Sequence, residues 1–181
     1  LMTEFIYETC KGRIHEENQD RVVARRRSQT SPFSLIAVAD GISSCAFGGS
    51  VARWVVERHL ATDDVPLLPD VDLETGFRNY LATLSEQFRA EFADVPEILK
   101  SGACLSTAVN RAHETHCFWV GDAPIYETQQ RNGCYITRMI SRPDALNERS
   151  VTDWFGGTSP FELKHVQVSR EAEIVTITSD G

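Results

Sequence analysis

Three apolar runs in this chain each end on an aspartate beside a glycine: Leu35-Ile36-Ala37-Val38-Ala39-Asp40-Gly41, Phe118-Trp119-Val120-Gly121-Asp122 and Ile174-Val175-Thr176-Ile177-Thr178-Ser179-Asp180-Gly181. Short continuous apolar runs, rich in β-branched residues and bounded by turn residues, read as buried strands. Each run delivers a carboxylate to the point where the strand stops. A fold that packs such strands side by side gathers those carboxylates at one rim. Converging carboxylates form a site for a hard divalent cation, which prefers oxygen ligands. One Asp-Gly alone is ordinarily a turn. Three of them closing three apolar runs constrain the fold and the chemistry together.

The remaining patterning fills in the fold. Residues 5–10 read as a first strand, 12–20 as a polar loop and 21–24 as an extended segment. Residues 25–32 read as a hairpin loop whose basic triplet, Arg25-Arg26-Arg27, is a solvated tip. A helix opens at Gly48-Gly49 and runs to about residue 60, with Val51, Val55 and Leu60 on one side. After a linker holding Pro66 and Pro69, a longer helix spans about 72–92. Its Leu73, Phe77, Tyr80, Leu81, Leu84, Phe88 and Phe92 recur at helical spacing and form a core stripe. Beyond Pro96 the pattern turns to β, with strands at 103–110, 115–120, 123–128 and 134–140. A polar loop, with room for one helical turn, fills 141–160, and final strands follow at 161–168 and 173–178. Strands, then two helices, then strands give an α+β layered domain.

Composition narrows the function classes. With 181 residues and 41% hydrophobic content, the chain is expected to be one domain, or most of one, with a real core. A net charge of −8 argues against a nucleic-acid partner. No run approaches the roughly 18 apolar residues of a membrane span, and the first residues lack the basic head and apolar stretch of a signal peptide. Five cysteines are an odd number with no Cys-x-x-Cys pair. Cys104, Cys117 and Cys134 read as small core residues, and the expected compartment is a reducing cytoplasm.

Six short motifs follow one another along the chain: Asn18-Gln19-Asp20, Ala39-Asp40-Gly41, Gly48-Gly49, Ser106-Thr107-Ala108, Val120-Gly121-Asp122 and Ser179-Asp180-Gly181. In that order they resemble the metal-dependent protein phosphatases of type 2C, of the bacterial Ser/Thr subgroup, over essentially the whole chain. The resemblance implies an α-β-β-α sandwich, two packed antiparallel β-sheets flanked by helices. It implies a site for two Mn²⁺ or Mg²⁺ ions, with a third, weaker ion in bacterial members. Carried over by position, Asp40 bridges two ions, the Gly41 carbonyl completes one of them, and Asp180 binds the other. Asp20 acts on the second ion through water, and Asp122 matches the ligand of the third. The implied activity is hydrolysis of phosphoserine and phosphothreonine in a phosphorylated protein, with a cognate Ser/Thr kinase as a further partner. Two cations about 3.5–4 Å apart lower the pKa of a shared water enough to make a nucleophile at neutral pH, so no protein nucleophile is needed.

Several positions depart from that pattern. The family's phosphate-binding Arg is His15 here, which lacks the fixed fork and permanent charge of Arg; Arg13 stands close enough to substitute. The Asp-Gly-x-Gly-Gly loop is Asp40-Gly41-Ile42-Ser43-Ser44, and the Ser43 hydroxyl is a candidate phosphate donor. Gln19 replaces a Glu, which removes one negative charge beside the second ion. Family members continue past Ser-Asp-Gly with a helix and a strand bearing an Asp-Asn pair. No counterpart occurs here, so the resemblance implies a domain spanning 1–181 that lacks its last helix and strand. Two readings stay open: an active phosphatase, or a weak or inactive relative serving as a regulatory or binding module. A phosphoaspartyl mechanism is set aside because Val38 occupies the position of its second Asp. His113 and His116 lack zinc-binding spacing and read as structural or solvated.

Overall fold

Burial alternates along β2 (Phe33–Gly41) and sets the layering. Leu35, Ala37 and Ala39 are fully buried on one face, while Ile36, Val38 and Asp40 are half-buried on the other. The computed structural model describes residues 4–10, 17–26, 33–61, 72–111, 114–142, 145–147, 150–158 and 160–179. In it β2 lies between β1 (Arg21–Arg25) and β3 (Gly102–Arg111), antiparallel to both. The sheet continues through β4 (Glu114–Val120) to β10 (Lys164–Gln167). The short β9 (Phe155–Gly156) pairs with the start of β3, where β4 no longer reaches.

The fully buried face of this sheet is covered by helices. α1 (Gly48–Arg53) runs directly into a π-helical segment (Trp54–Leu60), and Val51, Val55, Val56 and Leu60 of this pair are fully buried. In α2 (Leu73–Glu91) the 3.6-residue period turns Leu73, Phe77, Leu81, Leu84 and Phe88 onto the sheet. Asp72 caps this helix by accepting the Thr75 N–H at 2.8 Å. The Phe77 and Phe118 rings lie 4.5 Å apart across the helix–sheet interface. A short helix, α3 (Pro96–Leu99), precedes β3.

The second layer is a smaller antiparallel sheet ordered β11 (Ile174–Ile177), β5 (Ile125–Arg131), β6 (Cys134–Met139). Asn132 (φ 52°) and Gly133 (φ 79°) both adopt positive φ at the β5–β6 turn, as a two-residue type I′ hairpin requires. Ala108, Cys117 and Trp119 of the larger sheet pack with Ile125, Val175 and Ile177 of the smaller one. Burial of Cys117 here pushes its thiol pKa up to about 12. A third pairing, β7 (Ala145–Asn147) with β8 (Ser150–Val151), stands apart. One buried carboxylate ties the smaller sheet together. Glu127, 1% exposed, accepts from Arg138 Nε at 2.7 Å, Gln129 Nε2 at 3.0 Å and the Ser169 N–H at 3.2 Å.

Two packed antiparallel sheets with helices over one face agree with the expected α+β sandwich. Some local expectations need correction. Residues 4–10 join neither sheet; 4–8 line a cleft of about 830 Å³ between the sheets, beside Val22, Ile36, Val38 and Ile177. An isolated segment without a neighbour to pair with cannot be a strand, however apolar it is. Arg25 is not a solvated tip: it is buried, with its guanidinium 5.1 Å from the Phe33 ring centroid. Cys134 is exposed, because β6 is the edge of the smaller sheet. Residues 96–99 are helical, Pro at the first position being compatible with a helix start. The region 141–160 holds three short strands, and no helical turn among its described residues. His116 is structural: it is buried and shares a 2.9 Å hydrogen bond with His165. His113 and the linker at 63–70 lie outside the described residues.

Candidate active site

The site is built first by backbone meeting backbone. A Cβ placed on Gly41 would lie 2.5 Å from the Gly48 carbonyl carbon and 2.6 Å from the Gly49 nitrogen. One placed on Gly48 would lie 2.5 Å from the Ile42 oxygen. Only glycines let the start of α1 press onto the end of β2 this closely. The Ile42 N–H donates to the Gly102 carbonyl at 3.0 Å, and the chain then turns, with the Cys45 N–H donating to the Ile42 carbonyl at 3.0 Å. Asp40 and Gly41 are thereby held between β3 on one side and the helix start on the other. Ser43 lies in the turn that follows, exposed to solvent.

Asp20 reaches the same end of the sheet from β1. Arg21 pairs with Ala39, so Asp20 stands at the strand end next to that of Asp40. Its N–H donates to Asn18 Oδ1 at 2.9 Å, a local Asx-type turn. Its carboxylate Oδ2 accepts from the Ser179 hydroxyl at 2.9 Å. Ser179 arrives from the smaller sheet: Ile177 pairs with Ile125, and the Thr178 N–H donates to the Pro124 carbonyl at 3.1 Å. Gln19 contributes packing here, since its Cα would sit 3.3 Å from a Cβ on Gly49. A small cavity of about 180 Å³ beside Asp20 is bounded by Thr9, Val38 and Ser179 among others.

Asp122 follows β4 and comes to the site through Cys104. Cys104 is directly opposite Asp40 in the β2–β3 register and is 3% exposed. Burial pushes its thiol pKa well above the ordinary value, and the neighbouring Asp122 carboxylate adds to that. Gly121 makes this contact possible: it has φ +90°, and a Cβ there would lie 2.5 Å from Cys104 Sγ.

Asp20, Asp40 and Asp122, all half-buried, therefore occupy one end of the larger sheet, with the Gly41 backbone among them. The donor set is carboxylate and carbonyl oxygen, which fits a hard cation such as Mg²⁺ or Mn²⁺. Among the described residues, no group of three His, Cys, Asp or Glu is close enough to hold an ion at once. Arg13, His15, Asp180 and Gly181 lie outside the described residues. Two contributors were not legible as such in the sequence. Cys104 reads as a core residue until the register sets it opposite Asp40. Ser179 reads as part of a turn until its hydroxyl meets a residue 159 positions away.

Comparison with known proteins bears on the family and the fold. The family model for protein phosphatase 2C matches residues 13–181. The fold is similar to that of a bacterial serine phosphatase variant (16% identity, 96% of this chain and 76% of that one, TM-score 0.79). It is similar to the serine/threonine phosphatase Stp1 from Staphylococcus aureus (14% identity, 92% and 70% covered, TM-score 0.74). It is also similar to the catalytic domain of the serine threonine protein phosphatase PstP, in complex with two manganese ions (19% identity, 90% and 71% covered, TM-score 0.66). No curated protein matches the sequence.

Proposed function

Because the chain belongs to the protein phosphatase 2C family, we propose that it is a metal-dependent phosphatase of phosphoserine and phosphothreonine in proteins, acting as one domain. The observation that carries this reading is the gathering of Asp20, Asp40 and Asp122 at one end of the larger sheet, beside the glycine-pinned end of β2. That a related phosphatase holds two manganese ions supports Mn²⁺ or Mg²⁺ as the cofactor. When bound, such ions supply Lewis acidity and a water of lowered pKa.

The chain's own residues then have distinct tasks. Asp40, locked between β3 and α1, presents its carboxylate with the Gly41 carbonyl as the principal metal-holding pair. Asp180 is proposed as a second primary ligand. Asp20, steadied by Ser179, orients water at the edge of the site, and Asp122 holds a weaker outer ion. His15, Arg13 and the exposed Ser43 are proposed to bind the phosphoryl oxygens of the substrate. A cognate Ser/Thr kinase is the proposed source of that substrate, and the cytoplasm its compartment; among the described residues no helix is long and apolar enough to cross a membrane. The second reading, a weak or inactive regulatory module, is favoured by one feature: Ser43 and Ser44 stand exposed where the family has a glycine pair.

Phosphate release from a phosphothreonine peptide, with and without Mn²⁺, separates the two. Metal-dependent release that falls at least about 100-fold in Asp40→Asn supports the phosphatase. Release that persists in the presence of EDTA, or is unchanged in Asp40→Asn, refutes the mechanism. No release by a folded, Mn²⁺-binding protein favours the regulatory module.

A further inference from the structure

Arg21 opens β1, and its side chain turns back over the residues before it, leaving only 16% exposed. One terminal nitrogen, Nη1, donates to the Asn18 carbonyl at 2.6 Å and to the Asp20 carbonyl at 2.7 Å. Its Nε lies 3.2 Å from a carboxylate oxygen of Glu57, in the π-helical segment. Arg53, four residues earlier, stands 3.8 Å from the other oxygen of Glu57. An arginine that serves only the surface is placed differently: Arg131 meets Glu171 at 3.0 Å with both side chains more than half exposed, a pairing of small worth.

The two carbonyls belong to the turn that carries Asp20. Carbonyl oxygens drawn to one nitrogen repel each other unless a cation lies between them, so the guanidinium keeps this turn closed. The same turn is tied by the Asp20 N–H to Asn18 Oδ1, and Gln19 within it packs on Gly49 at the start of α1. The Asp20 carboxylate is thereby held from two sides, from the helix layer through Glu57 and Arg21 and from the smaller sheet through the Ser179 hydroxyl.

We propose that Arg21 is a positioning residue for Asp20: anchored on Glu57, its guanidinium clamps the Asn18 and Asp20 carbonyls and so fixes the direction in which the Asp20 carboxylate enters the site. The task of Asp20 itself rests on the phosphatase reading given above. Arginine suits the place because its rigid fork serves a carboxylate through Nε and two carbonyls through Nη1 at once. A group held about 1 Å out of place loses up to about 100-fold in rate. A residue that only adds stability leaves the folded site as it was.

The test uses Arg21→Met, which keeps the length of the side chain and removes its donors, and Glu57→Gln, which loosens the anchor from the half-exposed helix surface. Amide hydrogen exchange followed by NMR reads the Asp20 N–H, turnover of a phosphothreonine peptide with Mn²⁺ reads the site, and thermal melting checks folding. In Arg21→Met the Asp20 N–H is expected to exchange at least about 10-fold faster relative to the amides of β3. Turnover is expected to show kcat at least about 10-fold lower with KM little changed. Combining Arg21→Met with Asp20→Asn is expected to add nothing to the loss caused by Asp20→Asn alone. Glu57→Gln is expected to move exchange and kcat in the same direction by less, and it takes the place of Arg21→Met if that variant does not fold. An unchanged Asp20 N–H in the folded variant, or losses that add in the double variant, overturns this proposal alone. A folded wild-type chain that releases no phosphate with Mn²⁺ overturns it together with the phosphatase reading.

Discussion

Gly48→Ala tests whether the Asp40-bearing end of β2 is set by backbone contact with α1. The added methyl would lie 2.5 Å from the Ile42 oxygen, 2.7 Å from the Ile42 nitrogen and 2.9 Å from the Gly41 carbonyl carbon. All three are backbone atoms, so no side chain can swing aside. Restoring an ordinary 3.4 Å contact to that oxygen drives helix and strand apart by about 0.9 Å. Overpacking of this kind costs about 1–3 kcal/mol. In a chain of this size that lowers the melting temperature by roughly 2–4 °C for each kcal/mol. The larger effect falls on the site. A misplacement near 1 Å costs a positioned group up to about 100-fold in rate, and it moves Asp40 and the Gly41 carbonyl together. Thermal melting, Mn²⁺ titration and phosphopeptide turnover measure the three consequences. Gly133→Ala is the control: its φ of +79° strains an alanine, but nothing lies within 4 Å of the new methyl. That variant is expected to lose about 1–2 kcal/mol of stability and no metal affinity. A Gly48→Ala protein that melts within about 1 °C of wild type and binds Mn²⁺ equally well would refute the backbone-contact argument.

Glu127→Gln leaves a single acceptor oxygen among three donors, Arg138 Nε, Gln129 Nε2 and the Ser169 N–H. We expect a loss of about 2–4 kcal/mol in urea unfolding, and a smaller loss for Arg138→Ala, because that side chain is 67% exposed. Equal losses would show that the exposed guanidinium, not the buried carboxylate, sets the energy. The His116–His165 pair predicts a pH dependence. Burial is the main cause holding the His165 pKa below its ordinary value; Glu74, 2.9 Å from its Nδ1, opposes this, while His116 and Arg78 add to it and Asp72 opposes it. A His whose folded pKa is depressed contributes stability that is complete above the unfolded value, about 6.5, and is lost as pH falls through the folded value. The melting temperature should therefore drop as the pH is lowered from 7 to 5, with a shallower slope in His165→Gln. An identical slope in that variant would rule out the pair as the source.

The features legible in the sequence are those carried by period and by turn chemistry. The stripe from Leu73 to Phe88 could only be one buried helix face, and Asn132-Gly133 could only be a tight hairpin. β2 was legible as a buried strand ending on Asp40 for the same reason. What escaped depends on neighbours that are remote in sequence. Residues 5–10 have a strand's composition but no partner, and Arg25 has a loop's composition but lies against Phe33. β8 and β9 are two residues long, too short to carry any period. At the site, the order of the Asp-bearing motifs brought Asp20, Asp40 and Asp122 into view. The place of Cys104, opposite Asp40 and beneath Gly121, needed the register, because no spacing along the chain relates residue 104 to both 40 and 121.

The hydrogen bond from Ser179 to Asp20 joins residues 159 positions apart, and this separation orders events in time during synthesis. A ribosome adding about 5–20 residues per second needs roughly 8–30 s to make the chain between them. β1, β2 and β3 can pair, and α1 can settle on Gly41, long before Ser179 exists. For that interval Asp20 waits without the hydroxyl that steadies it. Whatever stability a bound cation lends the finished protein is withheld from the nascent one. On the metal-dependent reading, β1, β2, β3 and α1 must therefore hold themselves together unaided on the ribosome, and full metal loading would be a late checkpoint rather than a nucleus of folding.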